Sequence, residues 1–295
     1  IAPEFSLESL DTKSPTPFDG YVLVQNEPLL GPGILVRTAP SPLGPWSRPR
    51  EVFRPAEPAA EAPNAAAQEL NALAAKTDLP VPFRIVCLGD SITAVPAGRT
   101  DLKYPQLLQT ALAARYGDKV EVVNAGRGGD SVVSALKRLE TDAIAKDPTL
   151  VFINLGVNDS KLAQPDHTRN VVPLDKFTEG YREIVKTIQE KTKARVVAVG
   201  TIACVDEWTR HAAMGREKKG NYFGKPEELK KFNAAAQEVA KELGCDYVDL
   251  FDHFMAQPDL KALFREPDGV HCRERGQEQI ALQLMRYLAK TWPAK

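Results

Sequence analysis

Long apolar runs are missing from this chain. Nothing in it approaches the roughly 20 consecutive apolar residues that cross a bilayer, and its first residues lack the basic and apolar parts of a signal peptide. It also lacks an initial methionine, opening on Ile1. The expectation is a processed product whose export signal has been removed, with a secreted or periplasmic place favoured over the cytoplasm. Charge of one sign is missing too: 38 basic against 39 acidic residues leave a net charge of -1, with no sustained run of either. That excludes the footprint of a nucleic-acid binder and a polybasic membrane anchor, and fits a small neutral or weakly charged partner. Cysteine is scarce. Cys87, Cys204, Cys245 and Cys272 form neither a C-x-x-C pair nor a dense framework, so reduced thiols or at most one incidental bridge are expected. Of four histidines, no two have metal-ligand spacing on a helix, and neither a metal nor an organic cofactor is expected.

What the chain does have is unevenly spread. Fourteen of its 23 prolines fall within residues 1–82, which bars long helices there. Segments 20–25, 33–38 and 49–53 are rich in β-formers between Gly and Pro turns, which predicts two or three strands. The run from Ile34 to Trp46, ILVRTAPSPLGPW, resembles one blade of the β-propellers of arabinanase-type glycoside hydrolases. A single blade implies a vestigial or truncated unit packed on the main domain rather than a sugar-cleaving site. Residues 56–80 read as an Ala/Pro-rich linker ending in a short helix, with Asn64 as its cap and Leu70 and Leu73 as an apolar edge. The expected organisation is therefore a small β-rich appendage over 1–55, the linker over 56–80, and one large domain over 81–295.

From Phe83 onward short apolar runs alternate with amphipathic stretches, the pattern of βαβ units. Strands are predicted at 83–88, 120–124, 150–155, 195–200 and 247–250, and helices around 105–116, 131–145, 176–191, 227–243 and 274–290. This is an α/β class, a three-layer α/β/α flavodoxin-like parallel sheet. In such sheets the ligand lies at the carboxyl ends of the strands, so the loops that follow them should carry the chemistry. After the first strand comes Gly89-Asp90-Ser91; after the second, the stretch from Asn124 to Ser131, NAGRGGDS; after the third, Gly156-Val157-Asn158-Asp159; and ahead of the final helix, Asp268-Gly269-Val270-His271.

Nucleophilic acyl transfer needs a hydroxyl, a base, an acid that orients the base, and donors aimed at the developing oxyanion. All four are present at these strand ends. Asp268 and His271 are spaced so that one loop can set a carboxylate against one imidazole nitrogen while the other faces Ser91. Backbone N–H groups at Ser91 and Gly129 and the Asn158 amide are candidate donors. Taken singly, each motif also has a structural use: Ser91 as a helix cap, Gly126–Gly129 as a tight turn, Asn158 as a loop tie, His271 as a helix-start residue. The glycine stretch is not a dinucleotide fingerprint, because Ser131 stands at its third glycine position.

In joint order and position the four blocks resemble the SGNH hydrolases, the GDSL esterase/lipase family, over residues 83 to about 290. The resemblance implies Ser91 as nucleophile, Gly129 as backbone oxyanion donor, Asn158 as side-chain donor, and Asp268 and His271 as the remaining triad members, with the SGNH fold. Ile92 stands where the name-giving leucine would be. The serine lacks the G-x-S-x-G elbow of α/β-hydrolases, which disfavours that fold.

Residues 204–223 read as a long loop after the fourth strand, whose Trp208, Arg210, Arg216, Lys218, Lys219, Tyr222 and Phe223 suit the cover of a polar or sugar-like ligand. Asp90, Trp208, Arg210 and His211 are the candidate substrate contacts, and Pro165–Arg169 a facing rim. Together these readings describe a serine esterase acting on short acyl esters, acetyl foremost, of a small molecule or oligosaccharide. A lysophospholipase or thioesterase, and a non-catalytic carbohydrate-binding protein that kept the fold, are the alternatives. The short-acyl preference comes from the lack of a large apolar lid, and the sugar preference from the family and the blade.

Overall fold

The computed structural model describes residues 21–26, 34–39, 50–53, 65–95, 102–214 and 220–294. They divide into two compact units, with the boundary between Asn64 and Ala65. In the first, β1 (Tyr21–Asn26), β2 (Ile34–Ala39) and β3 (Arg50–Phe53) pair antiparallel in that order, each within one residue of its expected position. Residues 40–49, the later half of the blade-like motif, and residues 54–64, including Asn64, lie outside the described residues.

The second unit is a five-stranded, wholly parallel sheet. Its strands are β4 (Phe83–Gly89), β5 (Val120–Gly126), β6 (Leu150–Asn154), β7 (Arg195–Val199) and β8 (Asp246–Val248), in the spatial order β5-β4-β6-β7-β8. Chain order reverses at β4, which is flanked by β5 on one side and β6 on the other. Period-two alternation divides the strand residues between two cores. Phe83, Ile85, Cys87, Leu150, Phe152, Val197 and Val199 face one side, and Val86, Leu88, Val151, Ile153, Val196 and Ala198 face the other. Because both faces are covered, the central strands read as continuous apolar runs. Each large aliphatic or aromatic side chain buried there contributes about 1.5–3 kcal/mol.

Helices α1 (Ala65–Ala75), α2 (Tyr104–Tyr116) and α9 (Glu274–Thr291) pack together over the first face. On the second lie α3 (Val132–Asp142), α5 (Leu174–Lys191) and α7 (Pro226–Glu242). The helix expected inside the linker is α1. Leu70 and Ala74 are buried and it packs on α2 and α9, within the second unit. Short helices α4 (Val157–Ser160) and α8 (Phe251–Met255) complete the unit.

One expectation needs correction. The stretch after β7 is not loop throughout: Asp206–Met214 is a helix, α6, with acidic Asp206 and Glu207 in its first turn and Thr209 and Ala213 buried on one side. Two small buried residues four apart give no apolar stripe that sequence periodicity detects. Residues 215–219, which include Arg216, Lys218 and Lys219 of the expected cover, lie outside the described residues. All four cysteines are free thiols. Among the described residues no helix is long and apolar enough to cross a membrane.

Candidate active site

β4, β5 and β6 end side by side, with Gly89 paired to Gly126 across one ladder and to Asn154 across the other. Just past Gly89 the chain folds back in a tight turn, and this is where Ser91 sits. The Asp90 carbonyl accepts the N–H groups of Thr93 (3.2 Å) and Ala94 (2.9 Å), and the Asp90 Oδ1 accepts that of Ile92 (2.8 Å). A Cβ at Gly89 would lie 2.1 Å from Thr93 Oγ1, and one at Gly126 only 2.4 Å from the Ala94 nitrogen. The turn can therefore lie against the strand ends only because both residues are glycine. Outer ties hold it: Asn124 Nδ2 to the Thr93 carbonyl (2.8 Å), Gln277 Nε2 to that of Ile92 (3.1 Å), and Lys103 Nζ to that of Ser91 itself (3.3 Å).

The second loop turns at Gly129, whose φ of +81 lies in the left-handed region. Ser131 then caps α3 reciprocally with Ser134. The third loop carries Asn158, which is 5% exposed and donates through Nδ2 to the Asp130 carbonyl at 3.0 Å. Beside it Asp159 accepts the Val132 N–H at the start of α3 through Oδ1 (3.0 Å). Two hydrogen bonds thus clasp the second and third loops together. Asn158 Nδ2 keeps a second hydrogen for another acceptor. Among the described residues, neither the Ser91 nor the Gly129 N–H has an acceptor.

The fourth loop brings the imidazole. Asp268 Oδ1 accepts the backbone N–H groups of Val270 (2.7 Å) and His271 (3.0 Å), which curls the segment so that Asp268 Oδ2 meets His271 Nδ1 at 2.6 Å. On the other side His271 Nε2 is 2.9 Å from Ser91 Oγ. Gly269 has φ +73 and packs against α6: a Cβ there would lie 3.0 Å from the Val205 carbonyl oxygen and 3.1 Å from Trp208 Cβ. Asp268 is held below the usual carboxylate range: half-burial alone would raise it, but the His271 hydrogen bond and charge and the two N–H donors outweigh that. The geometry of a carboxylate, an imidazole and a hydroxyl in line is that of a nucleophile with a base oriented by an acid.

The remaining expected residues are placed as follows. Asp90 is 1% exposed and its carboxylate is engaged within its own turn, so the reading of Asp90 as a substrate contact does not fit its position. Burial pushes it up to about 7, and the same cause pushes Asp159 up to about 7. Trp208, Arg210 and His211 line a cavity of about 580 Å³ with Glu207, Met214, Glu266 and Pro267, the last two directly preceding Asp268. Lys261 Nζ lies 5.8 Å from the Trp208 ring centroid and pairs with Glu207 (2.6 Å). His167 turns to the Gly220 carbonyl. No cluster of three His, Cys, Asp or Glu capable of holding a metal occurs among the described residues. Sequence reading names Asp159 only as part of its block, without a role, and does not single out Arg138. Arg138 had a signal: it stands beside Ala135 and Leu139 on the buried stripe of α3, where a charge is out of place.

Comparison with known proteins decides the family. Residues 87–279 match the model of the GDSL-like lipase/acylhydrolase family. The chain belongs to that family. Curated relatives of this GDSL-like hydrolase include a GDSL esterase/lipase of Arabidopsis thaliana, 25% identical over 215 residues that cover 70% of this chain and 86% of the relative. An arylesterase of Vibrio mimicus is 36% identical over 76 residues, 26% of this chain and 38% of that one. Among solved structures, the lipase/acylhydrolase of Enterococcus faecalis superposes with a TM-score of 0.57 at 23% identity, over 72% of this chain and 99% of that chain. The acetylxylan esterase of Geobacillus stearothermophilus does so with 0.54 at 21% identity, over 70% and 94%. The parallel sheet with helices on both faces is the fold of these SGNH hydrolases, and membership makes the chain an ester hydrolase by family.

Proposed function

We propose that this GDSL-family hydrolase is a serine esterase that removes short acyl groups, acetyl foremost, from a carbohydrate. The observation that carries the reading is the line Asp268–His271–Ser91, with hydrogen bonds of 2.6 and 2.9 Å. His271 Nε2 takes the proton as Ser91 Oγ adds to the ester carbonyl carbon. The oxyanion that forms is held by the Ser91 and Gly129 N–H groups and the second hydrogen of Asn158 Nδ2. His271 passes the proton to the departing alcohol oxygen, leaving an acyl-serine. Water then adds to that carbonyl as His271 takes its proton, and collapse returns the proton to Ser91 Oγ and frees the carboxylic acid. Asp268 holds the imidazole with Nδ1 protonated and stabilises its charge.

The substrate class is supported by the cavity next to the Asp268 loop, which Trp208, Glu207, Arg210 and Glu266 line and whose volume suits a sugar unit. Trp208, Arg210 and His211 are assigned to the alcohol side of the substrate. The acetylxylan esterase named above shares the fold, and its substrate makes the first one to try. Wild type and Ser91→Ala should be compared on p-nitrophenyl acetate, then wild type on acetylated xylo-oligosaccharides and on esters of increasing acyl length. Equal rates for the two proteins would sink the esterase reading in favour of a carbohydrate-binding role. Preference for long acyl chains would point to a lysophospholipase or thioesterase.

A further inference from the structure

Arg138 projects from the middle of α3 into the protein, and is only 5% exposed. Burying a guanidinium costs several kcal/mol unless its donors are satisfied. Here four of its five N–H donors have acceptors, and the partners form a pattern. Nη2 donates to the Gly89 carbonyl (3.0 Å) and Nη1 to the Ala125 carbonyl (2.8 Å), at the ends of β4 and β5. Nε donates to Asp130 Oδ2 (2.5 Å), and Nη1 also reaches Asp142 Oδ2 (3.0 Å).

We infer that Arg138 is the positioning residue that sets the distance between the nucleophile and the oxyanion donors. This rests on the esterase reading above and goes beyond it, since Arg138 touches none of the reacting atoms. The Gly89 carbonyl lies two residues ahead of Ser91 and also accepts the Arg127 N–H (3.0 Å). Asp130 directly follows Gly129, and its own carbonyl receives Asn158 Nδ2 (3.0 Å). One planar group therefore references all three loops to one another: the Ser91 turn through Gly89, the Gly129 N–H through Asp130, and the Asn158 amide through the Asp130 carbonyl.

An ion pair with Asp130 alone would not need the two carbonyl bonds. A lysine ammonium could keep that pair, but it lacks the rigid planar fork that reaches oxygens in three directions. Oxyanion donors act only when they sit about 2.7–3.1 Å from the developing charge, so a small shift between loops is felt in the transition state more than in substrate binding.

The test uses Arg138→Lys and the double variant Arg138→Met/Asp130→Asn, which leaves no unpaired buried charge. Wild type and Ser91→Ala are run beside them on p-nitrophenyl acetate. Affinity is also measured for a trifluoromethyl ketone, whose carbonyl carbon bonds Ser91 Oγ to give an oxyanion adduct. The expected result is a kcat on the order of 10- to 100-fold lower, since a misplacement of about 1 Å can cost roughly that much. KM should stay within about twofold, ketone affinity should fall by the same factor as kcat/KM, and the pH midpoint of kcat/KM should not move, because the Asp268–His271 pair is untouched. If the double variant does not fold, Arg138→Lys decides by the same readouts. A folded variant with wild-type kcat, or one that loses kcat with ketone affinity unchanged, overturns the inference. Ser91→Ala as active as wild type would instead overturn the esterase reading beneath it.

Discussion

At the scale of single residues, the proposed reaction depends on a few atoms whose neighbours hold them still. Asn158 uses one amide hydrogen on the Asp130 carbonyl and, in the proposed mechanism, offers the other to substrate, so Asn158→Ala removes a loop tie together with the proposed donor. Its kcat on p-nitrophenyl acetate should fall on the order of 10²- to 10³-fold with a smaller change in KM, as steady-state kinetics would show. Gly126→Ala sets a methyl 2.4 Å from the Ala94 nitrogen, a backbone atom that cannot swing aside. The variant should show a lowered Tm and reduced activity together. The tripeptide around Ser91 was legible in the sequence because its glycine, acid and serine are contiguous. Arg138 was not, because its partners Gly89 and Ala125 are 49 and 13 positions away and are met through their carbonyls, which every residue has.

Among the elements, α6 separates what periodicity can and cannot find. The long helices α5, α7 and α9 carry repeated apolar positions and were placed close to their observed ends, whereas the nine residues of α6 bury only Thr209 and Ala213. Yet α6 matters to the site: Val205, just ahead of it, donates its N–H to the Gly269 carbonyl (2.8 Å), and α6 itself carries Trp208 to the cavity next to the Asp268 loop. Trp208→Ala should lower kcat/KM for acetylated xylo-oligosaccharides by about tenfold or more relative to p-nitrophenyl acetate, measured on one protein batch; an unchanged ratio would remove Trp208 from substrate recognition. Helix α1 gives a second element-scale prediction. Deleting residues 1–64 should leave the second unit folded and active, while deleting 1–78 strips Leu70 and Ala74 from the core. The longer deletion should lower Tm clearly, as loss of one buried leucine side chain alone costs about 2–5 kcal/mol.

For the whole molecule, burial of carboxyl groups under the site makes stability depend on pH. Asp90 and Asp159 are each pushed up to about 7 by burial, above the ordinary aspartate value of about 3.9 in an unfolded chain. Between those values the folded state binds more protons than the unfolded one. Their contribution is thus complete below about pH 4 and is lost as pH rises through about 7. Asp268, held low by His271, works in the opposite sense but only at acid pH, so the window from 5 to 8 belongs to the raised pair. Urea unfolding of wild type should give a lower stability at pH 8 than at pH 5. In Asp159→Asn that difference should shrink; an equal difference in both proteins would count against the buried-acid account.

The sequence alone determined what local chemistry can specify: strands from apolar runs, long helices from their stripes, and four polar blocks in order at strand ends. Each of these depends on residues near one another in the chain. Only the tertiary structure decided how the blocks meet. Strand order β5-β4-β6 sets the Ser91, Gly129 and Asn158 loops side by side, and the return of the chain before α9 brings His271 to within 2.9 Å of Ser91 across 180 positions. It also turned Asp90 from a candidate substrate contact into a buried carboxyl, and Arg138 from one cation among 38 into the group that joins the loops. The physical reason is common to both: burial and hydrogen-bond partnership are properties of a place in the fold, set by groups far away in sequence.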